Sequence, residues 1–348
     1  MTTLVTGATG FIGGNLVRRL VRDGHRVRAF VRPSADTSAL DGLPVERVEG
    51  DLRSPASVSA ALSGCERVFH CGAKISVASR GAEVMRELFE TNVLGTIHVV
   101  RAALAHGVKR VVVTSSQSTV GIIDDQPGTE RTPFDPLERR LPYALTKSAA
   151  EQETLRAMVD GLDVVIAIST TVVGAGDFRP SRLGRAILEV MRGRMRAYIP
   201  GGIECVTTDD IVDGHVLAME KGRRGQRYIF SSGFLTIDDI LDVASETSGC
   251  RRPSLRFPPM AIAALARACD ALMLPDIDRP FTSGAVSLLR SARRVDCIKA
   301  VSELGFRPSD PRAGVADACS WFIRRGLAPE AVRLPRAHQT DTHLGRQE

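Results

Sequence analysis

Leu4-Val5-Thr6-Gly7-Ala8-Thr9-Gly10-Phe11-Ile12-Gly13 is the stretch that decides the fold. An apolar pair runs into glycines spaced three apart, and residues 13–23 then carry a helical pattern, so strand turns to helix within a few residues. Backbone amides approach a pyrophosphate closely only where side chains are absent, and the helix N-terminus adds partial positive charge. Gly7, Gly10, Phe11, Ile12 and Gly13 are therefore the candidate cradle of a dinucleotide. A glycine triplet alone says little. Its weight comes from standing at the first strand–helix turn of an alternating chain.

That alternation continues. Residues 27–31, 68–70, 111–114 and 164–168 read as buried parallel strands, and 57–63, 83–106 and 143–160 as helices between them. Short turns and right-handed crossovers predict an α/β fold, a doubly wound parallel Rossmann sheet, over residues 1–174. After Gly174 prolines break the rhythm, although 206–218 and 227–230 read as a helix and strand that return 206–232 to the sheet. Residues 175–205 and 233–326 are expected to form a smaller C-terminal substrate-capping region. Residues 327–348 lack apolar periodicity and are expected to be a mobile tail.

A chain of 348 residues with net charge +6 invites a nucleic-acid reading. Its basic residues are scattered and almost all Arg, with only five Lys (74, 109, 147, 221 and 299), so the charge reads as solvated surface. Seven cysteines, odd in number and spread singly without a CxxC pair, fit free thiols in a reducing, cytoplasmic setting and no metal site. The apolar stretch 257–275 contains Arg267 and Asp270 and is too short and too charged to span a bilayer.

The second strand ends Phe30-Val31-Arg32. Folds that select a free ribose 2′-hydroxyl place Asp or Glu at this point, whereas Arg accommodates a 2′-phosphate. Arg32 thus favours NADP(H), with NAD(H) left open and a plain surface role as the competing use of that side chain. Gly50-Asp51-Leu52 offers Asp51 to an adenine amino group; a helix cap or turn is the other use of Asp there.

Tyr143-Ala144-Leu145-Thr146-Lys147 puts a phenol and an ammonium four residues apart on one helix face. A phenol near pKa 10 is a poor acid or base at neutral pH, and an adjacent ammonium favours its phenolate. Upstream, Val111-Val112-Val113-Thr114-Ser115-Ser116 is a buried strand ending in hydroxyls, one of which can hold a substrate oxygen beside the tyrosine.

With those motifs in this order, the sequence resembles the extended short-chain dehydrogenases/reductases to about residue 325. Further matching pieces are Val68-Phe69-His70-Cys71-Gly72-Ala73, Thr91-Asn92-Val93-Leu94-Gly95-Thr96, Val172-Val173-Gly174 and Thr208-Asp209-Asp210. The resemblance implies that Ser116, five before Gly121, takes the catalytic hydroxyl role in place of Ser115, beside Tyr143 and Lys147. It implies that Asn92 is a structural residue near the active-site helix, and that Asp51, Leu52, Cys71, Gly72 and Ala73 flank the cofactor. Ser169-Thr170-Thr171 stands where relatives often carry a Pro, a departure near the nicotinamide. His70 and Cys71 read as packing residues, since no basic partner is evident to activate the thiol.

Within that family the resemblance divides between sugar-nucleotide epimerases or dehydratases and enzymes of apolar carbon skeletons. A diphosphate needs cations, typically an Arg just before Val206. Here Ile203 or Glu204 stands there, and an acid repels a diphosphate, although Arg179, Arg182 or Arg185 could substitute from another loop. The overall pattern is similar to dihydroflavonol-reductase-like and 3β-hydroxysteroid-dehydrogenase-like proteins. Residues 257–275 could form a helix turning Met260, Leu265, Leu272 and Met273 to an oily ligand; core packing or a subunit contact is the competing use. The expected function is an NAD(P)-dependent oxidoreductase moving hydride to or from an apolar carbonyl or hydroxyl compound, with Tyr143 as proton donor. A nucleotide-sugar epimerase or dehydratase with bound NAD is the first alternative, and a non-catalytic NAD(P) sensor the second. The expected partner is a small apolar molecule, with no nucleic acid and room for a homodimer.

Overall fold

The computed structural model describes residues 1–76, 82–121, 126–134, 142–258 and 293–329. Its centre is a seven-stranded sheet of β1 (Thr2–Thr6), β2 (Arg26–Val31), β3 (Glu46–Glu49), β4 (Arg67–His70), β5 (Arg110–Ser116), β6 (Val164–Ser169) and β10 (Arg227–Phe230). The order is β10-β6-β5-β4-β1-β2-β3, and every neighbouring pair is parallel. A parallel sheet needs helical crossovers on both faces, which buries its strands on both sides; β6 is accordingly buried at every position.

One face packs α1 (Phe11–Arg22), α7 (Thr208–Lys221) and α9 (Ile298–Leu304) over Val5, Phe69, Val112, Tyr228 and Phe230. The opposite face packs α2 (Pro55–Leu62), α4 (Gly95–Ala105) and α5 (Pro142–Val159) over Leu4, Val68, Val111 and Val113. Each fully buried aliphatic side chain in these layers contributes roughly 1.5–3 kcal/mol. In α1 the buried stripe Leu16, Val17 and Leu20 follows helical spacing, and Arg19 and Arg22 in the last turn complement the helix dipole. β1 lies between β2 and β4, so the chain's progression reverses there. In doubly wound sheets ligands bind at such a switch point, which here lies at the carboxyl ends of β1 and β4.

Beyond β6 a second, smaller assembly forms. β7 (Thr171–Val173), β9 (Gly202–Thr207) and β11 (Gly233–Thr236) make a three-stranded sheet, and β8 (Ala197–Tyr198) pairs with β12 (Leu255–Arg256). Helices α6 (Arg182–Met191), α8 (Ile237–Ser248) and α10 (Pro311–Arg324) pack with it around Val173, Leu188, Met191, Leu235 and Phe322.

Three expectations change. The helix expected over 83–106 is α3 (Ala82–Leu88), a π-helical segment Phe89–Leu94, and α4. The helix expected over 206–218 begins at Thr208: Val206 pairs with Val172 in the small sheet, and Thr207 caps α7 by accepting from Asp210 N at 3.1 Å. Leu327, placed in the expected tail, packs on the C-terminal core, and its carbonyl accepts two bonds from Arg192. The rest of that tail, 330–348, and the apolar stretch from 259 onward lie outside the described residues.

Candidate active site

The glycine loop meets the end of β4 in van der Waals contact. Gly7 has φ +66°, a region costly for any residue with a Cβ, and a Cβ there would sit 2.7 Å from the Gly72 backbone. A Cβ on Gly13 would lie 2.2 Å from the Gly7 carbonyl. Leu52 closes the same corner, since a Cβ on Gly72 would meet its Cδ1 at 2.8 Å. The first turn of α1 carries no acidic residue, and Gly10 gives it no side-chain cap, whereas Ser54, Ser181, Thr207, Thr236 and Asp310 cap other helices. Its amides are thus left to an outside acceptor, which is what a pyrophosphate requires. The chain here fits a dinucleotide.

At the rim, Arg32 is exposed at the end of β2 and lies near enough to Asp51 to help hold its carboxyl below the usual range. The larger cause is Arg53, whose Nε and Nη2 contact the same carboxylate at 3.0 and 2.7 Å. Asp51 therefore has a partner of its own, one that the sequence reading did not include.

α5 brings Tyr143 and Lys147 to the carboxyl end of β5. The Tyr143 phenol lies close enough to Ser116 for that side chain to act on its ionisation. Ser116 Oγ accepts from Ser118 N at 3.2 Å and from Ser118 Oγ at 3.0 Å. Lys147 is buried and donates a 2.7 Å bond to the Thr114 carbonyl. Desolvation pushes the Tyr143 phenol up to about 12, against the opposing effect of Ser116. The expected lowering by the ammonium is not what sets this phenol. Its desolvation dominates, and the ammonium is directed to the main chain of β5. Desolvation likewise lowers Lys147 to about 8, with Glu151 and then Cys71 opposing it.

Cys71 and His70 sit at the end of β4. Burial raises the Cys71 thiol to about 11, so it is no thiolate nucleophile. His70 Nε2 lies 3.0 Å from Thr96 Oγ1, which itself donates to the Asn92 carbonyl at 2.6 Å. Nε2 must therefore be the donor, and Nδ1 accepts from Thr6 Oγ1 at 2.7 Å. This chain runs from the residue before Gly7 to the π-helical segment.

Asn92 lies within that segment. Its amide exchanges bonds with Lys74 N (2.8 Å) and Lys74 O (3.0 Å) and donates to Thr146 Oγ1 at 3.1 Å. Thr146 donates in turn to the Tyr143 carbonyl at 2.9 Å, so Asn92 ties the start of α5 to the strand-end loop after β4. A π-turn shifts the register of a helix by one residue and is common at functional sites.

Glu204 does not present its charge to a ligand. It is buried, accepts 2.6 Å from Ser231 Oγ, and burial raises its carboxyl. The expected repulsion of a diphosphate therefore fails. A cleft of about 480 Å³ opens elsewhere, at edge strand β10. Two of its charges are engaged with the strand: Glu130 accepts from Ile229 N at 2.9 Å, and Lys299 donates to the Arg227 carbonyl at 2.8 Å. These bonds cover the open edge of the sheet.

Known proteins resemble this chain in sequence and in fold. The sequence model of the NAD dependent epimerase/dehydratase family matches residues 3–230. The chain is 42% identical over 330 residues to sterol demethylase protein B of Methylococcus capsulatus, covering 94% of this chain and 100% of that one. It is 33% identical to a putative dihydroflavonol 4-reductase of Synechocystis, covering 92% and 94% of the two chains. The crystal structure of gox2253 superposes with TM-score 0.83 at 33% identity, over 94% of this chain and 99% of that one.

Proposed function

Because the chain belongs to the NAD dependent epimerase/dehydratase family, enzymes of short-chain dehydrogenase/reductase type, we propose that it is an NAD(P)-dependent oxidoreductase interconverting a ketone and a secondary alcohol on an apolar skeleton. The observation that carries the reading is the meeting of Ser116, Tyr143 and Lys147 at the end of β5, next to the strand end where Gly72 meets the glycine loop.

The backbone of Gly7, Gly10 and Gly13 would hold the pyrophosphate, Arg32 a 2′-phosphate, and Asp51, Leu52, Cys71, Gly72 and Ala73 the adenine and ribose side. A bound nicotinamide supplies or accepts the hydride. Tyr143, a phenol protonated at working pH, gives its proton to the substrate oxygen in the reduction direction. Ser116 donates a hydrogen bond to that same oxygen, so charge developing there meets two positioned donors. Lys147, anchored on the Thr114 carbonyl, would hold the cofactor ribose with its remaining ammonium protons. Position on sheet-anchored elements supplies the proximity.

An apolar substrate is supported by the names of the relatives, which refer to a sterol and to a dihydroflavonol, both ring systems poor in charge. The free thiols among the described residues support a reducing compartment such as the cytoplasm. The test is oxidation of NADPH and NADH over a panel of sterol ketones and long-chain 3-oxo compounds, beside UDP-glucose turnover and calorimetric titration with UDP. Turnover of the apolar ketones is the expected result. Micromolar UDP binding with epimerised sugar would replace this reading with the epimerase one.

A further inference from the structure

The helix face that carries Tyr143 and Lys147 continues for one more turn. Glu151, four residues after Lys147, is buried and has no part in the chemistry above. One of its carboxylate oxygens, Oε1, accepts from Ser115 Oγ and, at 2.7 Å, from Thr119 Oγ1. Oε2 pairs with Arg227 Nε at 3.0 Å, and Arg227 reaches further to Thr119 Oγ1 at 3.2 Å and the Glu130 carbonyl at 2.9 Å. Ser115 and Thr119 lie on either side of Ser116 in the chain. Thr119 Oγ1 is also 2.8 Å from the Ser116 carbonyl, and its single proton can serve that carbonyl or Glu151, one at a time.

A buried carboxylate needs a counter-ion and hydrogen bonds for its lone pairs, and removing one partner of such a set leaves the other uncompensated. Glu151 has both, drawn from three elements: β5, the turn after it, and β10. They converge behind the residue that would hold the substrate oxygen.

We propose that Glu151 is a positioning residue for the oxidoreductase reaction, fixing Ser116 through Ser115 and Thr119 and setting the field at Lys147 one helical turn away. This rests on the reading under Proposed function. The titratable groups around the pair come from every packed element. Tyr143 lies on α5, His70 and Cys71 at the end of β4, His215 on α7 behind Thr114, Arg227 on β10, and Glu130 beyond it. His70 sits near 3, His215 near 4, Cys71 near 11 and Tyr143 near 12, whereas Lys147 is near 8. A limb near pH 8 therefore belongs to Lys147, and the Glu151 charge holds that limb up.

The experiment compares wild type, Glu151→Gln and Tyr143→Phe in kcat, cofactor KM and melting temperature across pH 6–10. The pH dependence of NADPH binding, followed by cofactor fluorescence, reads the Lys147 charge without turnover. Glu151→Gln keeps the shape and one acceptor oxygen and removes the charge. The expected result is kcat lower by about 10- to 100-fold, cofactor KM within a few-fold, and the alkaline limb of kcat and of NADPH binding moved about one unit toward acid. A folded Glu151→Gln protein with the wild-type limb, whether or not its melting point falls, would mean the carboxylate only braces the fold and overturns the proposal. Should Tyr143→Phe keep wild-type turnover, the oxidoreductase reading fails instead. The binding limb then still decides whether Glu151 sets the field at Lys147.

Discussion

The Lys147 ammonium donates a 2.7 Å hydrogen bond to the main-chain carbonyl of Thr114, two residues before Ser116 on the same strand. The lysine is thereby locked to β5, and the helix face above it is registered against the strand end. The Thr114 hydroxyl is engaged from the other side, lying 2.8 Å from His215 Nε2. The end of β5 is thus held from α5 and from α7 at once.

Because that ammonium is desolvated to a pKa of about 8, ketone reduction should be flat below that pH and decline above it as Lys147 loses its proton. A single-proton limb in kcat against pH, absent in Lys147→Met, is the expected measurement. A profile flat to pH 9.5 would detach Lys147 from the reaction.

Tyr143→Phe should lower kcat by roughly 10²–10⁴ while cofactor affinity stays within a few-fold, since only the proton donor is removed. Single-turnover reduction with pre-bound NADPH measures it. Turnover close to wild type would end the role assigned to this phenol.

Arg32 stands exposed at the end of β2 beside Asp51, where a 2′-phosphate would approach. Wild type should therefore prefer NADPH, and Arg32→Ala should erode the kcat/KM ratio of NADPH to NADH by about tenfold, equivalent to about 1.4 kcal/mol of charge-assisted bonding. An unchanged ratio makes Arg32 a surface residue.

The central sheet was legible because its signals are local. Five apolar runs and the glycine turn each declare themselves within ten residues, and Tyr143 and Lys147 share a helix face by spacing alone. The small sheet of β7, β9 and β11 was not, because its strands pair across some thirty residues and Gly202–Thr207 has no clean alternation. Asn92 was placed near the active-site helix by resemblance, but the π-turn that aims it at Lys74 and Thr146 leaves no mark in periodicity. The burial of Glu204 against Ser231 is a tertiary fact that a charged side chain in the sequence does not reveal. Glu151 did have a signal, as the next member of the series 143, 147, 151.

His70 and His215 give the fold a defined response to acid. His215 Nδ1 must donate to the Ile211 carbonyl at 2.7 Å, so Nε2 accepts from Thr114; His70 has the opposite tautomer between Thr96 and Thr6. A second proton on either ring would require the hydroxyl that now donates to it to turn its own proton away. Burial is the main cause that lowers them from 6.5 to about 3 for His70 and about 4 for His215. Both are depressed, so the neutral rings stabilise the fold fully above about pH 6.5. That stability is lost as pH falls toward 4, where the unfolded chain binds protons the fold refuses. Each histidine contributes a slope of up to about 1.4 kcal/mol per pH unit inside that window. Burial raises the carboxyls of Glu130, Asp177 and Glu204, which favours the fold as pH falls and partly offsets this slope. The histidine part is therefore read by difference. Urea unfolding at pH 7.5, 6.0 and 5.0 should show wild type losing more stability across the series than His215→Gln, whose amide can accept from Thr114 and donate to Ile211 without titrating. Parallel losses in the two proteins would show that His215 takes up its proton in the folded state as readily as in the unfolded one.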